Sequence, residues 1–245
     1  MKMLEQPPPG PDDLRELPPR GWRGMSPRQF WGMCVVGGVV LLLAPMVAAP
    51  MILRSSKAAA RTETINNAKQ LGLALLEFER DFGTYPSDKT IAAVIKATGA
   101  TLDYTDGSSN AMFRQLIAYG IQSEDIFYCL HPEGTVRPDN DIFGRDALEA
   151  REVGFSYVVG LKTSGDPDTP VLLTPMKTTS YDRCWREKEY RESAVVLWLD
   201  HSVSLAPVRP LDDKAVNSGG VPILDAAQPY FGGKWPDIRH PKMGP

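Results

Sequence analysis

Residues 30–53 are 24 consecutive positions without a charged side chain. About 20 apolar residues are enough to cross a bilayer as a helix, so this run constrains the chain more than any other feature and predicts a transmembrane helix. Phe30 and Trp31 stand at one border, where aromatic rings favour the membrane interface, and Arg28 and Arg54 close the two ends. Pro45 and Pro50 fall inside the run. In a membrane helix, neighbouring groups and local rearrangement satisfy the carbonyls that a proline frees. A helix buried in a soluble core rarely runs this long without one polar contact. A cleaved secretory signal fits poorly, because its leader is unusually long and Pro50 directly follows Ala48 and Ala49.

Ahead of the span, residues 1–29 hold Pro7, Pro8, Pro9, Pro11, Pro18, Pro19 and Pro27. Proline lacks an amide donor and blocks helices, so this stretch reads as a disordered, Pro-rich N-terminal tail. The whole chain carries 27 basic and 30 acidic residues; removing the tail's five and four leaves 22 and 26 in residues 54–245. A mildly acidic soluble part has no electrostatic reason to bind nucleic acid or anionic lipid. Membrane lipid is therefore expected to be touched through residues 30–53 alone. The positive charges nearly tie across the span: Arg15, Arg20, Arg23 and Arg28 on one side, Arg54, Lys57, Arg61 and Lys69 on the other. A short tail before a large C-terminal region fits a cytoplasmic N-terminus.

Residues 54–86 continue the helical pattern without a turn signal until Gly83. Ile65, Ala68, Leu71, Leu75, Phe78 and Phe82 recur every three or four positions, so they form one packing face of an amphipathic stem. Glu63, Asn67, Gln70, Glu77 and Arg80 take the other faces. Gly83 ends the helix, and Tyr85 before Pro86 disfavours restarting it.

The stem carries a resemblance. Ile65, Asn66, Asn67, Ala68, Lys69, Gln70, Leu71, Gly72, Leu73, Ala74 and Leu75, followed by Phe78, Asp81, Gly83, Tyr85 and Pro86, resemble the stem of type IV pilin-like and type II secretion pseudopilin-like proteins of the planctomycete and verrucomicrobial type. Later segments resemble one branch of the same group: 125–128, 137–140, 153–160 and 194–200. The resemblance implies an α+β, pilin-like fold, with a long N-terminal helix packed on a small antiparallel sheet. The first half of that helix would be transmembrane and the second amphipathic. It further implies a single-pass protein of the bacterial inner membrane with an extracytoplasmic head, serving protein transport beside other pilin-like or secretion-machinery proteins. The chain lacks the usual prepilin cleavage motif. Pilins keep a glutamate at mature position five; cleavage after Gly24 places Gln29 there, and cleavage after Gly32 places Gly37. A carboxylate in lipid is costly and is kept for a reason, so its loss bears on processing and polymerisation. A permanently anchored, non-polymerising protein whose head binds a ligand or protein partner is the alternative.

Residues 87–245 form the head. Ser87 or Asp88 is placed to cap a helix carrying Ile91, Val94 and Ile95, closed by Gly99; a second helix fits 110–119, closed by Gly120. The runs 155–159, 171–174 and 194–199 are β-branched and aromatic, and Asp200 with His201 makes a turn into a partner strand over 203–208. A stem on an antiparallel sheet of three or four strands follows. The connections 129–152 and 175–193 read as polar surface chain, and 212–245 as an irregular wrap around the head.

No catalytic set, cofactor-binding loop or metal set emerges. His131, His201 and His240 lie far apart and read as exposed loop residues. Cys34 reads as a small apolar residue of the span. Cys129 and Cys184 are candidates for a disulfide across a 54-residue interval if the head is extracytoplasmic. Asp103, Asp106, Asp139, Asp141, Asp166, Asp168, Asp212 and Asp213 lack the EF-hand spacing and read as solvated loop carboxylates. The charge run 185–190, with an aromatic residue at each end, reads as a solvated loop or helical turn.

Overall fold

The computed structural model describes residues 27–144 and 147–244, and within its first helix the side chains of 27, 29 and 34–55 stand outside the description. The Pro-rich tail up to residue 26 therefore lies outside the described residues, as do the side chains of Cys34 and of most of the 30–53 span. Among the described residues no helix is long and apolar enough to cross a membrane. The chain divides into two compact units, Met1–Ile52 and Leu53–Pro245. The second holds the end of the first helix, two further helices and the sheet.

This unit is α+β. Helix α1 (Pro27–Phe82) contributes its C-terminal part, the stem. Helices α2 (Ile91–Thr98) and α3 (Ser109–Tyr119) follow, and then five short strands: β1 (Ser156–Val158), β2 (Pro170–Thr174), β3 (Ser193–Trp198), β4 (Val203–Pro207) and β5 (Ile238–Arg239). They form one sheet in the order β4-β3-β2-β1-β5, with every neighbouring pair antiparallel. Glycines end all three helices: Gly83, Gly99 and Gly120 each donate an amide back to the last turn. The first residue of α2 differs from expectation. Its N-cap is Thr90, without a side-chain cap bond. Ser87 instead donates its backbone N–H to the Thr90 hydroxyl, 2.9 Å away. In α3 the cap is Ser108, whose hydroxyl accepts from the Ala111 amide.

Both faces of the sheet are covered, which explains why β2 and β3 read as continuous apolar runs rather than alternating ones. Alternate side chains serve two clusters. Tyr157, Leu172, Val195 and Leu197 join Ala68, Leu71, Leu75 and Phe78 of the stem and Phe113 and Leu116 of α3. Val158, Leu173, Ala194 and Val196 join Met176, Cys184, Val208, Ala215, Ile223 and Leu224. At Gly72 the stem comes close to the sheet: a Cβ there would lie 3.2 Å from a methyl of Leu197. The fifth strand goes beyond the three or four that the sequence suggests. Ile238 and Arg239 pair with Val158 and Tyr157 of β1. Two residues between Asp237 and His240 carry no alternation to detect. The rest of 212–244 holds turns, one short 3-10 turn and isolated bridges.

The two connections expected on the surface are not simply surface chain. Cys129, His131, Ala147, Leu148 and Glu152 are buried in the first, and Met176, Cys184 and Tyr190 in the second. Polar sequence misleads in these connections because they bury a few side chains each and bond their backbones inward.

Candidate functional site

The part of the head with the most unusual chemistry is the junction between the stem and the connection 121–152. It starts at Asn67. Sequence periodicity puts this residue on a polar face, but it is 8% exposed. Its side-chain amide donates to the carbonyls of Asp125 at 2.8 Å and Tyr128 at 2.9 Å. These two bonds tie the stem to the 3-10 turn Asp125–Phe127 and satisfy backbone groups no strand could pair. One helical turn earlier, Glu63 accepts two bonds from the Arg137 guanidinium, which also lies 4.3 Å from the centre of the Tyr128 ring. Asn140 closes the far end by accepting the Glu124 amide at 2.8 Å.

Helix α3 holds the returning chain. Arg114 is 4% exposed and donates to the carbonyls of Ala147 and Leu148, while pairing with Asp106 at 3.1 Å. Asn110 donates to Leu148 and Glu149. The segment 147–149 is thus fixed by buried donors rather than by secondary structure.

Between these supports stand three carboxylates. One oxygen from each of Glu124, Asp139 and Glu152 lies within 4.8 Å of the others. Glu124 and Glu152 are buried and Asp139 is exposed. One oxygen of Glu124, Oε1, accepts the Leu148 amide at 2.6 Å. Its Oε2 is buried and has no hydrogen-bond partner among the described residues. Burial pushes the Glu124 carboxyl up to about 7, the charges of Glu152 and Asp139 add to this, and the Leu148 amide opposes it. Glu152 accepts the Glu149 amide at 2.6 Å, and burial raises it as well.

The remaining sequence candidates fall elsewhere. On the stem face Ala68, Leu71, Leu75 and Phe78 are buried, while Ile65 and Phe82 flank the core half-buried. Cys129 and Cys184 are both free, one in each core cluster, so the disulfide is not formed. Cys129 lies 3.1 Å from the Thr174 hydroxyl, and a Cβ on Gly154 would sit 2.3 Å from its sulfur. Burial pushes both thiols up to about 12, which leaves them inert as nucleophiles.

The histidines do not share the exposure expected of them. His131 is 2% exposed. Its Nδ1 accepts the Glu133 amide at 3.2 Å, so Nε2 carries the proton and donates to Met176 O at 2.7 Å. His240 is half-buried, with Nδ1 2.9 Å from the hydroxyl of the buried Ser156. This pair bolts the C-terminal segment to β1. His201 sits in the β3–β4 turn in the left-handed region. Of the aspartates, Asp106, Asp212 and Asp213 pair with Arg114, Arg209 and Lys177. Asp166, Asp168 and Asp200 line an open cavity of about 660 Å³ beside Trp198, Ser204 and Tyr230. In the 185–190 run, Tyr190 is buried and donates to Leu130 O, against the solvated reading.

No protein-family model, curated protein or solved structure matches the chain. The stem–loop junction therefore stands on its own geometry. Sequence reasoning singles out Asp139 but passes over Asn67, Glu124 and Glu152 as site residues. A weak signal exists: Glu124 precedes Ile126 and Phe127, and Glu152 precedes Val153 and Phe155, so each charge borders a buried apolar run.

Proposed function

We propose that the chain is a membrane-anchored, pilin-like structural or assembly component of a secretion or pilus-type system, with no catalytic role. One observation carries the reading. The stem part of α1 belongs to the same compact unit as the sheet and buries one apolar stripe on it, and in sequence it follows directly on the charge-free run 30–53. A helix that is apolar all round before it becomes amphipathic suits a lipid-embedded half and a head-bound half. Further support comes from the segments that carry the resemblance. Asn67 of the stem bonds the 125–128 segment, Gly72 packs against Leu197, and Arg137 of the 137–140 segment bonds the stem at Glu63. The residues that look alike are thus ones that hold stem and head together. The head faces the extracytoplasmic side of a bacterial inner membrane, and its partners are other pilin-like or secretion-machinery proteins.

The missing position-five carboxylate favours the second reading, a permanent anchor whose head binds a ligand or protein partner. Both readings meet the same experiment. Membranes from the native host are extracted with alkaline carbonate, and the retained protein is measured by intact mass. Release from the membrane sinks both. Retention with loss of about 24 or 32 residues and a methylated new N-terminus supports the pilin-like component. Retention of the Pro-rich tail supports the permanent anchor.

A further inference from the structure

We propose that Glu124, Asp139 and Glu152 form a binding site for one calcium ion, set between the stem-bound turn at 125–127 and the α3-bound segment at 147–149. The site does not depend on the membrane reading.

Three carboxylates with oxygens within 4.8 Å of one another repel unless something positive joins them. Elsewhere in the head, aspartates have cations: Asp106 has Arg114, Asp213 has Lys177, Asp212 has Arg209. Among the described residues, no ion pair serves these three. The Glu124 side chain is 0% exposed, and its Oε2 has no donor. A buried carboxylate oxygen left without a donor is costly, so the arrangement calls for a ligand that accepts electron pairs. The donor set is oxygen only, without histidine or thiolate, which suits hard cations over zinc. Two oxygens on opposite sides of a calcium ion, each about 2.3–2.6 Å from it, stand about 4.6–5.2 Å apart. A spacing within 4.8 Å falls inside that limit, and calcium accepts an irregular set of protein oxygens, whereas magnesium demands near-octahedral geometry and keeps several waters. Exposed Asp139 supplies the entry side, and the two buried glutamates supply fixed ligands. The sequence separation of 15 and 13 residues between the ligands matches no linear calcium loop, so only the fold brings them together.

The test uses the full chain in detergent micelles, stripped with chelator and titrated with calcium chloride by calorimetry, with circular dichroism to verify folding. One calcium per chain is expected, with an affinity in the micromolar to millimolar range. Asp139→Asn, at an exposed position, weakens it by about tenfold or more through loss of ligand charge. Glu124→Gln also weakens it while keeping an oxygen for the Leu148 amide, so it folds. Asp168→Asn, in the cavity beside β4, leaves it unchanged. The idea is overturned if folded protein binds no calcium at about 10 mM, well above the range of known sites. It is equally overturned if both ligand variants bind as the unaltered chain does. Magnesium chloride binding as tightly as calcium overturns the assignment of the ion.

Discussion

On one side of the sheet, Leu172, Val195 and Leu197 lie against the stem and α3; on the other, Leu173, Val196 and Ala206 lie against chain between 208 and 224 that contains only turns and isolated bridges. Both clusters are closed to solvent at their centres: Leu75 and Ile223, one from each cover, are 0% exposed. The difference is in how the cover meets its hydrogen-bonding needs. The stem satisfies its backbone within itself and offers a ready apolar stripe. The second cover must pair group by group, as where the Ile223 amide donates to Ala215 O and the Val216 amide to Pro207 O. A core can therefore be closed by irregular chain, provided each buried amide finds a carbonyl.

The sharpest way to break this comparison is to cut the same volume from each cover. Leu75→Ala and Ile223→Ala should each destabilise the head by about 2–5 kcal/mol, the usual range for emptying a fully buried aliphatic site. Chemical denaturation of the full chain in micelles measures both. A cost below about 1 kcal/mol for Ile223→Ala, with Leu75→Ala costly, would mean that the irregular cover packs loosely and the two faces are not equivalent.

Next in size is the bond pattern that fastens the stem at its edge. Asn67→Ala removes the side-chain donor of the Tyr128 carbonyl and one of the two donors of the Asp125 carbonyl, which keeps the Tyr128 amide at 3.2 Å. A buried acceptor stripped of its partner costs about 1–3 kcal/mol, so the Tyr128 carbonyl alone sets an expected loss of at least about 1 kcal/mol. Hydrogen exchange should quicken across 125–128 first. An unchanged exchange pattern would show that the turn is held from elsewhere.

A pH experiment probes the tie between the connection at 129–135 and the second cluster. Burial lowers the pKa of His131, against the opposing bond to Met176 O and the charge of Glu133 and with the charge of His240 adding to the burial effect. In the folded state the ring therefore stays neutral below its ordinary value of 6.5. The unfolded chain takes up that proton first, so the stability this group contributes is present above pH 6.5 and is lost as pH falls below it. His131→Gln keeps a donor for Met176 O and removes the titration. The gap in stability between the unaltered chain and this variant should narrow as pH falls from about 7 toward about 5. Glu124 titrates with the opposite sign, so the difference between the two proteins, not either slope, is the readout. His240, also lowered by burial, leaves part of the slope in place. A gap independent of pH would refute the assignment.

What sequence can foresee follows the same division between the two covers. Ile65 to Phe82 repeat at helical spacing, and Gly83, Gly99 and Gly120 punctuate, so the stem and both short helices are legible. Strands β1 to β4 show as β-branched runs, and the turn at Asp200 and His201 joins two of them. Elements held by single polar side chains are not legible. Asn67, Arg114 and Asn110 look like surface residues by type, yet each is buried because a loop carbonyl waits above it. The candidate site belongs to that class. Glu124 and Glu152 have no spacing to betray them, since their proximity depends on where α3 pins Leu148 and where the stem pins Asp125.

The smallest expected effect lies one turn from Asn67 on the same helix. Glu63 and Arg137 form a two-bond ion pair, but the arginine side chain is 60% exposed. Exposed pairs contribute about 0–1 kcal/mol, because water and salt screen them and two long side chains lose freedom. Glu63→Gln should therefore cost under about 1 kcal/mol, and the cost should shrink further in about 0.5 M salt. Asn67→Ala should show no such salt dependence, since its bonds are neutral and largely removed from solvent. If Glu63→Gln proves the costlier of the two at low and high salt alike, the stem is held to the loop mainly through charge, and the buried amide of Asn67 is not the main tie.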